Sequence, residues 1–330
     1  MREGAERGAA RAVVARAPVR VDFGGGWTDV PPYTTELGGA VCNMAISLRA
    51  TVRLTSEGGR ADAAVGMLGA DTALAEAALR RAGLEGVTAT LRSDFPVGAG
   101  LGGSSAAGVA VQAALACWRG EAVDRDALAQ RSRQVEVEDL GIAGGYQDHY
   151  AAAHGGALLM EFTDRVSVRR LPLAPAVREA LARRCVVAYT GQSRISGETI
   201  TAVLDAYRAR EPRVTGALAR MKALAREMAD AITRESVDDL GALVGEHWEH
   251  QRALHHGITT GRIDAMVAAA RAAGALGCKA LGASGGGCVL VIAREGAVQP
   301  VRAAVGALGE LLAFEVDETG AVAADEERRA

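Results

Sequence analysis

The residues able to do chemistry gather in three glycine-rich stretches and one short segment around an aspartate. The first stretch, PVGAGLGGSSAAG, runs from Pro96 to Gly108 between a strand-like segment and a helix-like one. Glycines there let the backbone come close to a bound anion, so that several N–H groups and a helix N-terminus point at one phosphate. Ser104 and Ser105 add hydroxyls at the first helical turn, and one of them can ligate Mg2+ held between phosphates. The stretch is not a Walker loop, because the Gly-Lys-Ser/Thr ending is absent, and it does not fit a dinucleotide fingerprint followed by a ribose-binding acid. A flexible strand-to-helix turn would use the same small residues.

The second stretch, ALGASGGGCVLVI from Ala280 to Ile292, sets four glycines and a serine before a strongly apolar strand. A tight β-turn is the ordinary use of such a cluster. The third, RVDFGGGWTDVPPY from Arg20 to Tyr33, ends a strand carrying Arg20 and Asp22 in three glycines, then Trp27, Thr28 and Asp29. Glycine lets a bulky ligand lie against the backbone, and Thr and Asp can hydrogen-bond sugar hydroxyls. Capping of the turn before Pro31-Pro32 is the alternative use of Thr28 and Asp29. Asp148, in Gly-Tyr-Gln-Asp-His, reads locally as a helix cap or first-turn acid ahead of AAAHGG.

The elements that must position these residues follow from hydrophobic periodicity. Val13 to Phe23, Ala40 to Thr55, Thr88 to Ser93 and Cys185 to Tyr189 read as strands, and Ala157 to Phe162 with Val166 to Leu171 as a hairpin. Asp71 to Ala82, with Asp71 as N-cap, Ala106 to Trp118, and Asp124 to Leu140, closed by Gly141, read as helices. Residues 197–275 are mostly helical, and Cys278 to Ile292 returns to strand, loop and strand. The charged tail, Ala323 to Ala330, is expected to fray. Short apolar runs alternating with Ala-rich helices give an α+β or α/β class, and the shift toward helix sets a boundary near residue 180.

Composition narrows the function. Hydrophobic residues at 49% suffice for a packed core, and a net charge of −3 argues against bulk binding to nucleic acid or an anionic membrane. No apolar run approaches the roughly 20 residues that span a bilayer. The start, MREGAERGAARAVVARAP, lacks the apolar core of a secretory signal and reads as an irregular approach to the first strand rather than an Arg-rich leader. The five cysteines are widely spaced among apolar neighbours without a CxxC, which points to a reducing, cytoplasmic compartment. His247 and His250 have the spacing of a metal pair, but a polar helix face explains them as well, and no acid pattern completes a site.

Taken together, the three glycine stretches resemble the motifs of the GHMP kinases, in the family's order and spacing. FGGGWTDVPPY looks like the sugar-kinase version of the first motif, and GGYQDHYAAAHGG, Gly144 to Gly156, is similar to the catalytic segment of D-glycero-D-manno-heptose 7-phosphate kinases. The Gly-Gly-Trp-Thr-Asp run looks equally like the kinase domain of fucokinases. The resemblance implies an α+β, two-lobed fold with a mixed sheet in each half, an ATP-binding lobe over residues 1–180 and a second lobe over 181–330.

It further implies that Pro96, Gly98, Gly100, Leu101, Gly102, Gly103, Ser104 and Ser105 wrap ATP, with Gly285 and Gly286 adding support from the second lobe. Asp148 then matches the catalytic aspartate and Arg20 the basic residue beside it, while Gly26, Trp27, Thr28, Asp29, Gln147 and Arg194 fall at sugar-side positions. Mg2+ would lie on Ser104 and on one helix acid. Glu136 and Glu138 both have the required distance from Asp148, but at i and i+2 they cannot share a helix face, and Glu136 is the choice. The sequence departs from the family in two places. An extra glycine, Gly103, leaves Ser104 and Ser105 both open as the metal serine, counting from Gly100 favouring Ser104. Gln251 stands where heptose kinases carry a lysine three residues after a helical tryptophan, here Trp248.

The implied activity is an ATP- and Mg2+-dependent sugar 1-kinase, with D-glycero-D-manno-heptose 7-phosphate as the first acceptor and a free hexose such as L-fucose as the alternative. The protein would act as a monomer or homodimer on a small molecule. A non-catalytic sugar sensor on the same fold is opposed by the presence of Asp148, Arg20 and the glycines, and a phosphate-eliminating decarboxylase by the sugar-type first motif.

Overall fold

The computed structural model describes residues 11–56, 69–142, 144–193 and 197–326. Ten strands appear in chain order: β1 (Ala12–Gly24), β2 (Gly39–Ser56), β3 (Val87–Ser93), β4 (Ala157–Phe162), β5 (Val166–Leu171), β6 (Cys185–Tyr189), β7 (Ala275–Ala280), β8 (Cys288–Ala293), β9 (Glu310–Leu312) and β10 (Val322–Asp325). The beginning of β1 alternates, with Val13, Ala15 and Ala17 buried, as in a strand with one solvated face. From Ala17 to Gly24 every residue is buried, because the helices Gly103–Arg119, Gln147–His154 and Pro212–Thr233 pack against this strand.

The first sheet has the order β10-β1-β2-β4-β5, with β3 also paired to β2, and the second has the order β7-β8-β6-β9. The α+β class holds. Every strand pairing among the described residues is antiparallel, where mixed sheets were expected. The connections account for this: β4 and β5 are joined by residues 163–165 alone, and so short a link cannot make the crossover a parallel pair requires. The β1–β2 ladder slips twice, between Pro18 and Val19 and between Asp22 and Gly24. Pro18 has no N–H for the ladder, and the second bulge turns the glycine triad out of the sheet.

Three expectations need correction. The tail does not fray from Ala323, because β10 pairs with β1, Val13 opposite Asp325. The helix expected from Asp124 to Leu140 is α-helical only over Arg125–Gln134, capped by the Asp124 carboxylate, and continues as a π-helical turn over Val135–Asp139. The helix placed at Asp71 begins at Gly69. The N-terminal stretch before residue 11 and Arg194 lie outside the described residues. All five cysteines are unpaired, and no helix among the described residues is long and apolar enough to cross a membrane.

The core is built in two clusters. The larger joins the first sheet to the Gly103–Arg119 helix, whose residues from Ser105 to Ala116 are all buried and mostly small, so the helix lies close on β1 and β2. The second gathers β6, β7 and β8 with the helices Val237–Leu254 and Gly261–Ala272 around Trp248, Ile263 and Met266.

Candidate active site

The Gly103–Arg119 helix starts without a side-chain cap. Gly102, in the left-handed region at φ 78°, precedes it and accepts no side-chain bond on its behalf. Uncapped N–H groups at a helix start are an anion site when they face open space. Here Gly102, Gly103, Ser104 and Ser105 line a cavity of about 450 Å3, within the size range of small-molecule sites. Pro96, Gly98, Gly100 and Leu101 line it as well.

The second glycine loop meets the first backbone to backbone. The Cys288 N–H donates to the Ala99 carbonyl at 2.8 Å, and a β-carbon on Gly100 would lie 2.7 Å from the Leu281 carbonyl oxygen. Gly282, Ala283 and Gly286 reach the cavity. Gly285 does not: its N–H donates to the Ile258 carbonyl at 2.8 Å, so it serves the loop and not a ligand.

Opposite the helix start, Arg20 and Asp148 form an ion pair. Arg20 Nε and Nη2 each lie 2.7 Å from Asp148 Oδ1, while Nη1 donates to the Gly100 carbonyl at 2.7 Å. The Arg20 N–H also donates to the Leu101 carbonyl at 3.1 Å. One arginine thus ties β1, the phosphate loop and the acid together. The guanidinium is 4% exposed and the Asp148 side chain 27%, so the cavity reaches the acid and not the cation. Both nitrogens address Oδ1, and among the described residues no protein donor reaches Oδ2.

Asp148 sits in the first turn of Gln147–His154, and that helix start is held by Asp29. Asp29 Oδ2 accepts from the N–H groups of Tyr146 and Gln147 at 2.9 and 3.0 Å. Burial, helped by the nearby charges of Asp148 and Asp22, pushes the Asp29 carboxyl up to about 6 against the pull of those N–H groups. Asp29, Gly26, Trp27 and Gln147 line the cavity as expected. Thr28 does not. It is fully buried, with its hydroxyl 2.7 Å from the Gly25 carbonyl and accepting from the Ala40 N–H at 3.1 Å, so it fastens the turn and is closed to substrate.

The π-helical turn decides which glutamate faces inward. Glu136 is buried and lines the cavity, while the Glu138 carboxylate lies 3.0 Å from Arg81 on the surface. Glu136 Oε2 lies 2.8 Å from His149 Nε2, and His149 Nδ1 is 3.0 Å from the Ser132 hydroxyl. Ser105 Oγ is 3.4 Å from the same imidazole, whereas Ser104 is partly exposed at the cavity wall. His149, wholly buried beside the aspartate, escapes a sequence reading because its partners are remote.

Beneath the cavity, Lys279 Nζ lies 2.8 Å from Asp22 Oδ2, with both side chains buried. Two further departures concern the Val237–Leu254 helix. His247 is not on a polar face; it is fully buried and accepts the Gly25 N–H at 2.9 Å, and burial holds it well below the usual histidine range. Gln251 donates through Nε2 to the Ala280 and Gly282 carbonyls, each at 3.2 Å, and to Ser284 Oγ at 3.0 Å, so it braces the second glycine loop.

Two family models cover this arrangement, GHMP kinases N terminal domain over residues 71–156 and GHMP kinases C terminal over residues 228–311, together more than half the chain. The chain belongs to the GHMP kinases. Among curated relatives, it is 28% identical to an L-fucokinase/L-fucose-1-P guanylyltransferase of Bacteroides fragilis, over 86% of this chain and 35% of that protein. It is 30% identical to a D-glycero-alpha-D-manno-heptose 7-phosphate kinase of Campylobacter jejuni, over 59% of this chain and 58% of that one. The chain therefore spans about a third of the first relative and somewhat over half of the second. A solved structure titled as a D-glycero-D-manno-heptose 1-phosphate kinase from Bacteriodes thetaiotaomicron superposes with a TM-score of 0.76 at 25% identity, covering 96% of this chain and 99% of that one.

Proposed function

We propose that this GHMP kinase transfers the γ-phosphoryl of ATP to the anomeric hydroxyl of a sugar, working between lobes of residues 1–180 and 181–330. The observation that carries the reading is the Arg20–Asp148 pair facing an uncapped helix start across one cavity. Phosphoryl transfer asks for positioning and charge stabilisation, together with a base for the attacking hydroxyl. Asp148 Oδ2 takes that proton, while Arg20 on Oδ1 keeps the carboxylate ionised and aimed. The N–H groups at Gly102–Ser105 receive the phosphates.

The donor set suits Mg2+, which takes oxygen ligands and keeps several waters. The partly exposed Ser104 hydroxyl and the inward Glu136 carboxylate supply two oxygens at the cavity wall. When bound, the ion neutralises charge on the transferring phosphates.

Two acceptors have support. D-glycero-D-manno-heptose 7-phosphate is favoured by the names of the Campylobacter relative and of the superposed structure. It needs a cation for its phosphate dianion, since such a charge is costly in a closed site when unpaired; Arg194 is the candidate. An uncharged hexose is favoured by the fucokinase relative and by the lining, where Asp22, Asp29, Glu136 and Asp148 stand against Arg20. ADP release measured across free sugars and sugar 7-phosphates decides between them, with the product identified by phosphorus–hydrogen coupling at C1. Turnover of sugar phosphates alone, with Arg194→Ala raising KM for them, selects the heptose reading. Turnover of free hexoses, unaffected by that substitution, selects the other, and coupling at a different carbon overturns the anomeric assignment.

A further inference from the structure

Lys279 and Asp22 take no part in the transfer just described, yet they lie directly under it. Lys279 is the charge in the apolar strand β7, fully buried, and Asp22 Oδ2 is its partner. The other oxygen, Asp22 Oδ1, is buried with no hydrogen-bond partner among the described residues. Apolar side chains in place of a buried ion pair are often as stable or more so, whereas removing one partner alone strands a charge. Stability therefore does not account for this pair.

Its neighbours suggest what does. Arg20 and Asp22 are two residues apart on β1, so their side chains share a face, and both line the cavity. Arg20 thus stands between two carboxylates, Asp148 across the cavity and Asp22 on its own strand. The other titratable groups near Lys279 are Cys42 and His247, and burial keeps the first a thiol and the second neutral. Asp22 is the counter-ion of Lys279, and Lys279 occupies the carboxylate that would compete for Arg20. Gly26 leaves room for the pair, since a β-carbon there would lie 2.6 Å from Asp22 Oδ2.

We propose that Lys279 is a positioning residue: by neutralising Asp22 it holds the Arg20 guanidinium on Asp148. The inference rests on the phosphoryl-transfer reading for its consequence in rate, but the placement of Arg20 is observable without turnover.

The test compares Lys279→Met with the double variant Asp22→Asn/Lys279→Met in the full chain. The Arg20 Nε–H resonance, assigned by its loss in Arg20→Lys, reports the ion pair directly. In Lys279→Met this resonance should move, and kcat should fall about 100-fold, the scale of a misplaced catalytic group, while ATP affinity by calorimetry stays within about threefold. In the double variant the competing carboxylate is gone, so the resonance should return to its wild-type position and kcat to within about fivefold. A merely structural link between the sheets predicts the reverse, a double variant as impaired as the single one, and that result overturns the proposal. If Lys279→Met does not fold, the double variant decides alone, and a displaced Arg20 resonance in it is the negative outcome. Absence of turnover with every sugar in the wild-type protein would count against the kinase reading, while the resonance would still judge the role of Lys279.

Discussion

A β-carbon added to Gly102 would lie 2.9 Å from Cγ of Asp148. The residue that opens the phosphate-facing helix and the residue proposed as base are therefore in contact, and neither can shift without the other. Gly102 also holds φ 78°, a conformation that costs any side-chain-bearing residue. Gly102→Ala should push Asp148 off Arg20 and lower kcat by about 100-fold, the scale expected for a small misplacement of a reacting group. Circular dichroism should show the fold intact. An alanine variant with wild-type kcat would show that the contact does not constrain the acid.

Asp148→Asn keeps the shape of the acid and removes its basicity. Turnover should drop by at least roughly 100-fold, as for loss of a general base, with ATP affinity by calorimetry near normal. Arg20→Lys tests the other half of the pair. A lysine ammonium cannot span Asp148 Oδ1 and the Gly100 carbonyl with the fixed fork that Arg20 uses, so kcat should fall while ATP still binds. Retention of turnover in the Asn variant would move the base to another residue.

The metal assignment separates cleanly by geometry. Ser104 is open to the cavity, while Ser105 sits against His149, and Glu136 faces inward while Glu138 pairs with Arg81. Ser104→Ala and Glu136→Gln should each raise the Mg2+ concentration that gives half-maximal rate, and should weaken Mn2+ binding measured by water proton relaxation. Glu138→Gln should change neither, because its partner is on the surface. If Ser105→Ala has the larger effect, the serine assignment is reversed.

The glycine loops are legible in the sequence because each carries its own local signal, a strand running into small residues and then a helix or strand. Glu136 over Glu138 follows from helix periodicity, although the π-helical turn that aims Glu136 has no such local mark. Pairings across the chain are another matter. Asp22 and Lys279 are 257 residues apart, and His149 reaches Glu136 across the turn between two helices, so neither contact has a spacing to read. The lone lysine in ALGCKAL was the one available sign, since a charge inside an apolar strand must find a partner. Thr28 misleads for a local reason. Trp27 adopts φ 77° before it, which turns the threonine hydroxyl onto the Gly25 and Ala40 backbone and away from the cavity. Gly285 misleads because the loop's own hydrogen bonding, here to Ile258, is invisible in a run of identical glycines.

Asp29 gives a prediction about pH. Its carboxyl is buried, and burial with the charges of Asp148 and Asp22 raises it from 3.8 to about 6. The folded protein therefore binds this proton more tightly than the unfolded chain does. Between those two values the folded state holds more protons, so this group's contribution to stability is fully present below about 3.8 and is lost as pH rises through about 6. A shift of this size corresponds to roughly 3 kcal/mol, an upper figure for one buried group. Asn at this position is uncharged at every pH and can still accept from the Tyr146 or Gln147 N–H through its carbonyl oxygen. Urea unfolding at pH 4, 5, 6 and 7 should then show Asp29→Asn gaining stability relative to wild type as pH rises, most of the change falling between pH 4 and 6. A difference that stays flat would mean the carboxylate is not penalised by burial. A difference of the opposite sign would mean that the two N–H groups at the start of the Gln147–His154 helix outweigh it, and that the charged form of Asp29 is what holds the base-bearing helix in place.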